Sequence, residues 1–208
     1  MSQDLQSLAE DLVECGREFY RRGWVMGTSG NFSALIESEP LRALITASGN
    51  DKGALDATKH LIEIDGDGAV VRGAGKPSAE TAIHLTVYKQ KENARAILHT
   101  HSVWGTILSD VYYPNGAIEI EGYEMLKGLS GVATHEHTER VPVIENSQDY
   151  NRLSRIVERV LRENPNAHGV YLRKHGLYTW GESIGEAKRH VEIFEFLFEV
   201  LGRRTMMR

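Results

Sequence analysis

Short apolar runs joined in two different ways constrain the fold of this chain more than any other feature. The runs at 31–37 and 41–46, and those at 61–65 and 69–72, are separated only by turn residues, which is typical of antiparallel hairpins. Later apolar runs alternate with segments in which apolar residues recur at helical spacing. Hairpins and strand-helix alternation in one chain predict a mixed sheet with helices packed on it.

The rest of the pattern predicts the other elements. Helical spacing indicates helices over 3–22, 102–109, 148–163 and 183–204, a helix from Pro77 to about Gln90, and a short helix near 122–128. Further strands are predicted at 95–100, 117–121, 141–144, 168–172 and 176–180, with a polar loop over 129–140. Because no linker, repeat or low-complexity tract interrupts this order, we expect a single domain over 1–208.

Length and composition exclude several classes of function. The chain has 208 residues, a net charge of −5 and no broad basic stripe, so we expect no nucleic-acid partner. No apolar stretch approaches the roughly 20 residues that span a bilayer, so we expect no membrane partner. The single cysteine, Cys15, excludes an intrachain disulfide and fits a reducing compartment. With no apolar core of a signal peptide near the N-terminus, these observations predict a cytoplasmic protein.

Two histidines on one strand are the strongest pointer to chemistry. His99 and His101 follow the apolar run 95–98, and alternate residues of a strand face the same side. Imidazole nitrogen is a favoured ligand of zinc, and a catalytic zinc usually keeps three protein ligands. His175, followed by a glycine between two predicted strands, is a candidate for the third, although the residues alone do not single it out.

A second pair, His135 and His137, has the same spacing but lies in a polar segment. No apolar strand supports it, and a flexible loop is a poor scaffold for a preorganised metal site. The pair therefore remains either a solvated loop or part of an active-site lid.

Three small-residue segments offer hydroxyls and backbone N–H groups that suit an anion. They are Gly27–Asn31, Thr46–Asn50 and the helix start Pro77–Ala79, and each alone also fits a plain turn or cap. None matches a nucleotide-binding fingerprint. Two carboxylates, Glu80 and Glu124, are candidate general acids or bases, and each is equally explained as a helix-surface charge.

The order of these motifs resembles the class II aldolase/adducin family. The resemblance covers about residues 5–200 and rests on Gly-Thr-Ser-Gly-Asn-Phe-Ser, Thr-Ala-Ser-Gly, Pro-Ser-Ala-Glu, His-Thr-His-Ser and Lys-His-Gly. The segments around Lys76–Thr81, Tyr123–Gly128 and Glu145–Asp149 are most similar to the family's methylthioribulose-phosphate dehydratases. This chain departs from that group where Gly122-Tyr123 replaces a His-Gln pair, and Lys174 replaces an asparagine common in the family.

The resemblance implies a fold, a cofactor and roles for individual residues. It implies a three-layer α/β/α sandwich around a largely antiparallel sheet, and a homotetramer with active sites at subunit interfaces. It implies one Zn²⁺ per subunit and two competing catalytic acids or bases, Glu124 and Glu80. The implied zinc ligands are His99, His101 and His175. The implied contacts to a substrate phosphate are Ser29, Gly30, Asn31, Ser48, Gly49 and Ser78.

The implied activity belongs to methionine salvage. It is the zinc-dependent conversion of 5-methylthioribulose 1-phosphate to 2,3-diketo-5-methylthiopentyl 1-phosphate and water. The alternative is a class II sugar-phosphate aldolase of the fuculose, rhamnulose or ribulose phosphate type, or an epimerase. Adducin heads share the fold without catalysis, but the intact histidines argue against such a scaffold.

Overall fold

A nine-stranded sheet forms the middle layer of the protein. The computed structural model describes residues 3–207, and residues 1, 2 and 208 of the expected domain lie outside the described residues. The sheet order is β4-β3-β2-β1-β5-β9-β8-β7-β6, and every neighbouring pair except β7–β8 is antiparallel. The strands are β1 Asn31–Ser38, β2 Leu41–Thr46, β3 Leu61–Asp65, β4 Val70–Arg72, β5 Ala96–Thr100, β6 Ala117–Glu121, β7 Thr138–Ile144, β8 Gly169–Leu172 and β9 Gly176–Gly181.

Helices cover both faces of this sheet. They are α1 Gln3–Arg21, α2 Thr81–Gln90, α3 Val103–Val111, α4 Tyr150–Glu163 and α5 Ile184–Met206. Helices α2 and α4 pack on one face, where Ile97 of β5 is buried. Helices α1 and α5 pack on the other, against Ala96 and Leu98 of the same strand. The alternation along β5 confirms the three-layer α/β/α sandwich with a largely antiparallel sheet.

Two predicted boundaries are wrong. Helix α2 begins at Thr81 rather than at Pro77, because the chain before it is held against the 46–50 loop by the hydrogen bond from the Ser48 N–H to the Lys76 carbonyl. Strand β7 begins at Thr138, inside the predicted loop, because the polar residues 138–140 pair with 119–121 of β6. A hydrophobic pattern cannot reveal a polar stretch of strand such as this one, which pairs with the edge strand β6.

Strand pairing brings the site residues together at one end of the central strands, here called the site edge. Asn31 at the start of β1 lies opposite His99 near the end of β5, and His99 lies opposite Tyr178 of β9. The end of β2 leads into the 46–50 loop at this same edge. Within residues 3–207, no helix has the length and apolar character needed to cross a membrane.

Candidate metal centre

Three histidines from two adjacent strands and their flanking turns converge at the site edge, the end of the central strands where Asn31 and His99 lie. His99 lies near the end of β5, His101 directly follows that strand, and His175 lies in the turn that precedes β9. Their ring centroids are 4.5, 4.6 and 5.0 Å apart. The Nε2 atoms of His99 and His101 are 2.8 Å apart. The structure therefore brings together the three residues that the resemblance implied as ligands.

Neighbouring groups fix the ring of His99. Its Nδ1 lies 2.8 Å from the Leu177 carbonyl, which can only accept, so Nδ1 carries the proton and Nε2 presents a lone pair to the centre. The ring stacks on Tyr178 at 3.8 Å between centroids with an interplanar angle of 12°. His175 is oriented less tightly, with its Nδ1 3.3 Å from Oδ1 of Asn146.

The backbone around His175 is specialised for close approach. A Cβ on Gly176 would overlap the Thr100 carbonyl oxygen and lie 2.6 Å from the His99 ring, so only glycine fits there. Lys174 has a φ of 55°, the one non-glycine residue of 3–207 in the left-handed region. Asparagine tolerates that conformation better than lysine, so an asparagine at this position would adopt it with less strain.

Glu80 completes the cluster with a carboxylate. One oxygen lies 2.9 Å from Nε2 of His175 and 3.7 Å from Nε2 of His99. Its other oxygen accepts a hydrogen bond from the side-chain amide of Asn31. The ligand atoms of Glu80 and the three histidines all lie within 4.8 Å of one another.

A buried chain of hydrogen bonds orients Asn31 and, through it, Glu80. Because the Asn31 amide donates to Glu80, its Oδ1 accepts from Nε2 of His84. Nδ1 of that ring is then an acceptor, and it lies 2.7 Å from the Ser33 hydroxyl, which in turn lies 2.8 Å from the Tyr88 hydroxyl. His84 is thus a structural support for Glu80.

Burial and mutual contacts together favour the protonation states that a metal requires. Burial lowers the pKa of His99, and burial together with the charges of His99 and His175 lowers the pKa of His101 to about 2. Burial alone would raise the pKa of Glu80, but its interactions with His175 and His99 outweigh burial and hold that pKa well below its usual range. Neutral imidazoles and an ionised carboxylate are the forms that bind metal.

This donor set fits a divalent metal ion. Three imidazole nitrogens and one carboxylate oxygen converge on one point, and the His99 lone pair is aimed inward by the Leu177 carbonyl. Zinc binds nitrogen and oxygen donors of this kind in four-coordinate geometry. If substrate were to displace the Glu80 carboxylate from a bound metal, three histidine ligands would remain, as in a catalytic zinc site.

The small-residue loops lie beside this cluster. A cavity of about 140 Å³ is lined by both loops, by Ser78 and by Glu80 and His101 of the cluster. The predicted phosphate residues on this cavity are Ser29, Gly30, Asn31, Ser48, Gly49 and Ser78. A Cβ on Gly30 would lie 2.6 Å from the His99 carbonyl, so this loop can approach β5 only with glycine there. The Asn31 amide is already engaged by Glu80.

Glu124 lies away from the cluster within one chain. It follows β6, which lies four strand positions from β5, and neighbouring strands are about 4.8 Å apart. Its carboxylate pairs with Lys127 at 2.8 Å and lies 3.8 Å from His135, and its side chain is 72% exposed. The hydrogen bond from Lys127 lowers the pKa of Glu124, so the carboxylate is ionised at neutral pH.

The second histidine pair does not form a metal site within residues 3–207. His135 is exposed beside Glu124, and His137 instead binds Glu139 through Nε2 at 2.9 Å. Glu139 also holds His168, which lines the larger cavity of about 740 Å³ at the other end of the sheet. In that cavity Ser130 donates to Glu186 and His168 binds the Ser130 carbonyl, whereas the Ser29 hydroxyl of the smaller cavity has no partner among the described residues.

Comparison with known proteins places the chain in a family. Residues 10–201 match the model of the Class II Aldolase and Adducin N-terminal domain. The chain belongs to the class II aldolase and adducin family. It is 43% identical over 208 residues to a methylthioribulose-1-phosphate dehydratase of Pseudomonas fluorescens (strain Pf0-1), covering 100% of this chain and 98% of that protein. It is 42% identical over 191 residues to an enzyme of the same name from Marinobacter nauticus, covering 92% and 90%.

A solved structure shares the fold. The L-fuculose-1-phosphate aldolase of Thermus thermophilus aligns with a TM-score of 0.75 at 22% identity, covering 100% of this chain and 98% of that one. This family member therefore supports the class II aldolase fold.

Sequence reasoning missed several residues of the site. Tyr178, Asn146 and the Leu177 carbonyl act through neighbours across strands, which no local pattern reveals. Lys52 lines the small cavity, and its place directly after the Ser48-Gly49 loop is a signal that could have found it.

Proposed function

We propose that this protein is a hydro-lyase that converts 5-methylthioribulose 1-phosphate to 2,3-diketo-5-methylthiopentyl 1-phosphate and water, a step of methionine salvage. The observation that carries the proposal is identity of 43% over the whole length with a curated enzyme of that name. The centre of three histidines and a carboxylate beside a hydroxyl-lined cavity supports it.

We propose zinc as the metal, one ion per subunit, held by His99, His101 and His175. Bound there, zinc would supply Lewis acidity to the C2 carbonyl oxygen and so make the C3 proton more acidic. Glu80, which faces two of the histidines, is the group that substrate would displace or contact first.

The protein's own groups then move protons and hold the substrate. A carboxylate takes the proton from C3, the C4–O bond breaks, and the C4 hydroxyl accepts a proton and leaves as water. The resulting enol tautomerises to the diketone, so one proton and one hydroxyl leave as water. The small-residue loops hold the phosphate, which fixes the orientation of C3 and C4.

We assign the acid and base role to Glu124, with Glu80 as the competitor. Glu124 is ionised and exposed, as a base that must reach substrate requires, whereas Glu80 is held in the metal cluster. Glu124→Gln should abolish turnover and leave zinc content near one per chain. Full activity in that variant, with loss of activity in Glu80→Gln at normal zinc content, would transfer the role to Glu80.

We propose a homotetramer whose active sites lie between subunits. Glu124 pairs with Lys127 and lies beside His135 rather than His99, His101 or His175 of its own chain, so in this arrangement it serves the metal centre of a neighbour. Helix α3 begins two residues after His101 and presents Val103, Ile107 and Val111 to solvent at intervals of four residues. An exposed apolar stripe beside the metal centre favours a subunit contact there.

We also propose that the single domain spans 1–208 and acts in the cytoplasm, where a free, buried cysteine is expected.

The alternative function is a sugar-phosphate aldolase, because an aldolase shares this fold at a TM-score of 0.75. The same centre could support cleavage of the C3–C4 bond or epimerisation. The discriminating experiment offers the zinc-loaded protein 5-methylthioribulose 1-phosphate, fuculose 1-phosphate and rhamnulose 1-phosphate side by side. We expect turnover of the first alone; preferential turnover of either of the others would reject the dehydratase.

A further inference from the structure

Lys52 carries a positive charge into the protein interior. Its side chain is 1% exposed, although lysine is among the residues least often buried. Its Nζ donates to the carbonyls of Asn50 at 2.8 Å and Thr28 at 3.2 Å. An ammonium has three N–H groups, so one remains without a partner among residues 3–207.

No carboxylate of the described chain neutralises this charge. Asp51 and Glu80 act on Lys52 only at longer range: Asp51 accepts from the Gly53 N–H, and Glu80 binds the histidines and Asn31. Burial lowers the pKa of Lys52 to about 8, which still leaves it largely protonated at neutral pH. A buried charge without a counter-ion is costly, so its position calls for an anion.

The empty space beside Lys52 suits that anion. Lys52 lines the cavity of about 140 Å³ together with the two small-residue loops. The Ser29 hydroxyl on this cavity is buried and has no hydrogen-bond partner among the described residues. A cation with a free N–H and an unsatisfied hydroxyl therefore face the same space, which continues to Glu80 and His101 of the metal centre.

We propose that Lys52 binds the phosphate group of the substrate and makes the site selective for phosphorylated sugars. The inference rests on the proposed function for the identity of the substrate, but the anion site follows from the buried charge itself. An oxyanion in the cavity accepts from the third N–H of Lys52 and from Ser29, while the carbon chain extends toward the histidines. Sugars without a phosphate leave the buried charge uncompensated and bind weakly.

Calorimetric titration with inorganic phosphate tests this directly, because it needs no turnover. The variants are Lys52→Gln, which keeps an N–H donor without the charge, and Lys52→Met, which keeps the apolar stem. The matched control is Lys59→Met, which removes an exposed lysine whose side chain is 74% accessible. Circular dichroism melting shows whether each variant is folded.

We expect the wild type and Lys59→Met to bind phosphate equally, and both Lys52 variants to bind it about 10- to 100-fold more weakly, as for loss of a charge-assisted hydrogen bond. With the phosphorylated substrate, KM should rise by a similar factor while kcat changes little. Folded Lys52→Gln that binds phosphate as the wild type does would overturn the proposal.

A wild-type measurement decides the case in which neither variant folds. Phosphate should raise the melting temperature of the wild type saturably, beyond the effect of chloride at equal ionic strength; absence of a saturable rise would reject the anion site. Lys52-dependent phosphate binding without dehydration would refute only the proposed function. If the protein dehydrates the substrate but its phosphate affinity and KM do not depend on Lys52, only this inference is refuted.

Discussion

His99 depends on three neighbours that fix different parts of its ring. The Leu177 carbonyl sets its tautomer, Tyr178 stacks on one face, and Gly176 leaves room for its edge. All three lie on β9, so the pairing of β5 with β9 determines the direction of the Nε2 lone pair that faces the candidate metal centre. The metal centre is therefore sensitive to small shifts between these strands.

Gly176→Ala tests that dependence. The new methyl would overlap the Thr100 carbonyl and lie 2.6 Å from the His99 ring, so β9 must shift away from β5. We expect zinc affinity to fall by at least about tenfold, as when groups that orient metal ligands are lost. Zinc competition with a chromogenic chelator measures it.

Gly185→Ala is the matched control, because its Cβ would meet only Ser183 Oγ at 3.9 Å. It lies within α5 and should leave zinc affinity unchanged, with stability equal or raised by about 0.5–1 kcal/mol. Equal zinc affinity in both variants and the wild type would show that the close approach at Gly176 does not shape the metal centre.

At the scale of elements, a second buried network ties strands β7 and β8 to the loop around Ser130. Glu139 accepts from both the backbone N–H and the ring of His168, and Nε2 of that ring reaches the Ser130 carbonyl at 2.7 Å. Burial alone would raise the pKa of Glu139, but the bond to His168 lowers it; burial would lower the pKa of His168, but Glu139 raises it. The charged pair is thus favoured in the folded protein.

Glu139→Gln should destabilise the protein in a pH-dependent way. The carboxylate contributes stability above its ordinary pKa of 4.5, which is lost as the pH falls through its lowered value. His168 contributes below its ordinary pKa of 6.5, which is lost as the pH rises through its raised value. The cost should therefore be largest near pH 6, at about 3 kcal/mol, and smaller near pH 9.

Urea unfolding at both pH values measures this difference. Glu119→Gln on the neighbouring strand is the control, since Glu119 is exposed and pairs with Arg140. This substitution should lower the free energy of unfolding by less than about 1 kcal/mol. A loss that is the same at both pH values would argue against an ionic contribution from Glu139.

The elements also show what a sequence can and cannot predict. The apolar runs of β1, β2, β3 and β5 predict their strands closely, because burial on both faces leaves a clear pattern. The polar start of β7, residues 138–140, is missed because no apolar face marks it. Pairing with β6 and the hydrogen bonds of Glu139 stabilise it instead. The histidine ligands were accessible through motif order, and Lys52 could have been found from its place after the 46–50 loop, whereas Tyr178 required the tertiary structure.

At the scale of the whole molecule, the separation of Glu124 from the histidines makes subunit mixing informative. Glu124→Gln and His101→Gln are each expected to be inactive alone. If one site takes Glu124 from one chain and its metal from another, mixed oligomers contain intact sites. A site between two chains is intact when one chain supplies Glu124 and the other supplies His101. Random mixing should therefore restore on the order of a quarter of wild-type activity.

Affinity tags on the two variants show whether mixed oligomers form, and activity is measured on the doubly tagged fraction. Inactive mixed oligomers would place Glu124 and the metal of each site on one chain. A monomer in sedimentation analysis would reject the tetramer itself.

Product analysis tests whether the protein removes water from a sugar phosphate in a metal-dependent reaction. The zinc-loaded protein is incubated with 5-methylthioribulose 1-phosphate, and the products are identified by mass spectrometry, with a chelator-treated sample alongside. We predict a diketone phosphate lighter than the substrate by one water, formed only by the metal-loaded protein. Dihydroxyacetone phosphate with a released aldehyde, or an unchanged rate after the metal is removed, would contradict metal-dependent dehydration.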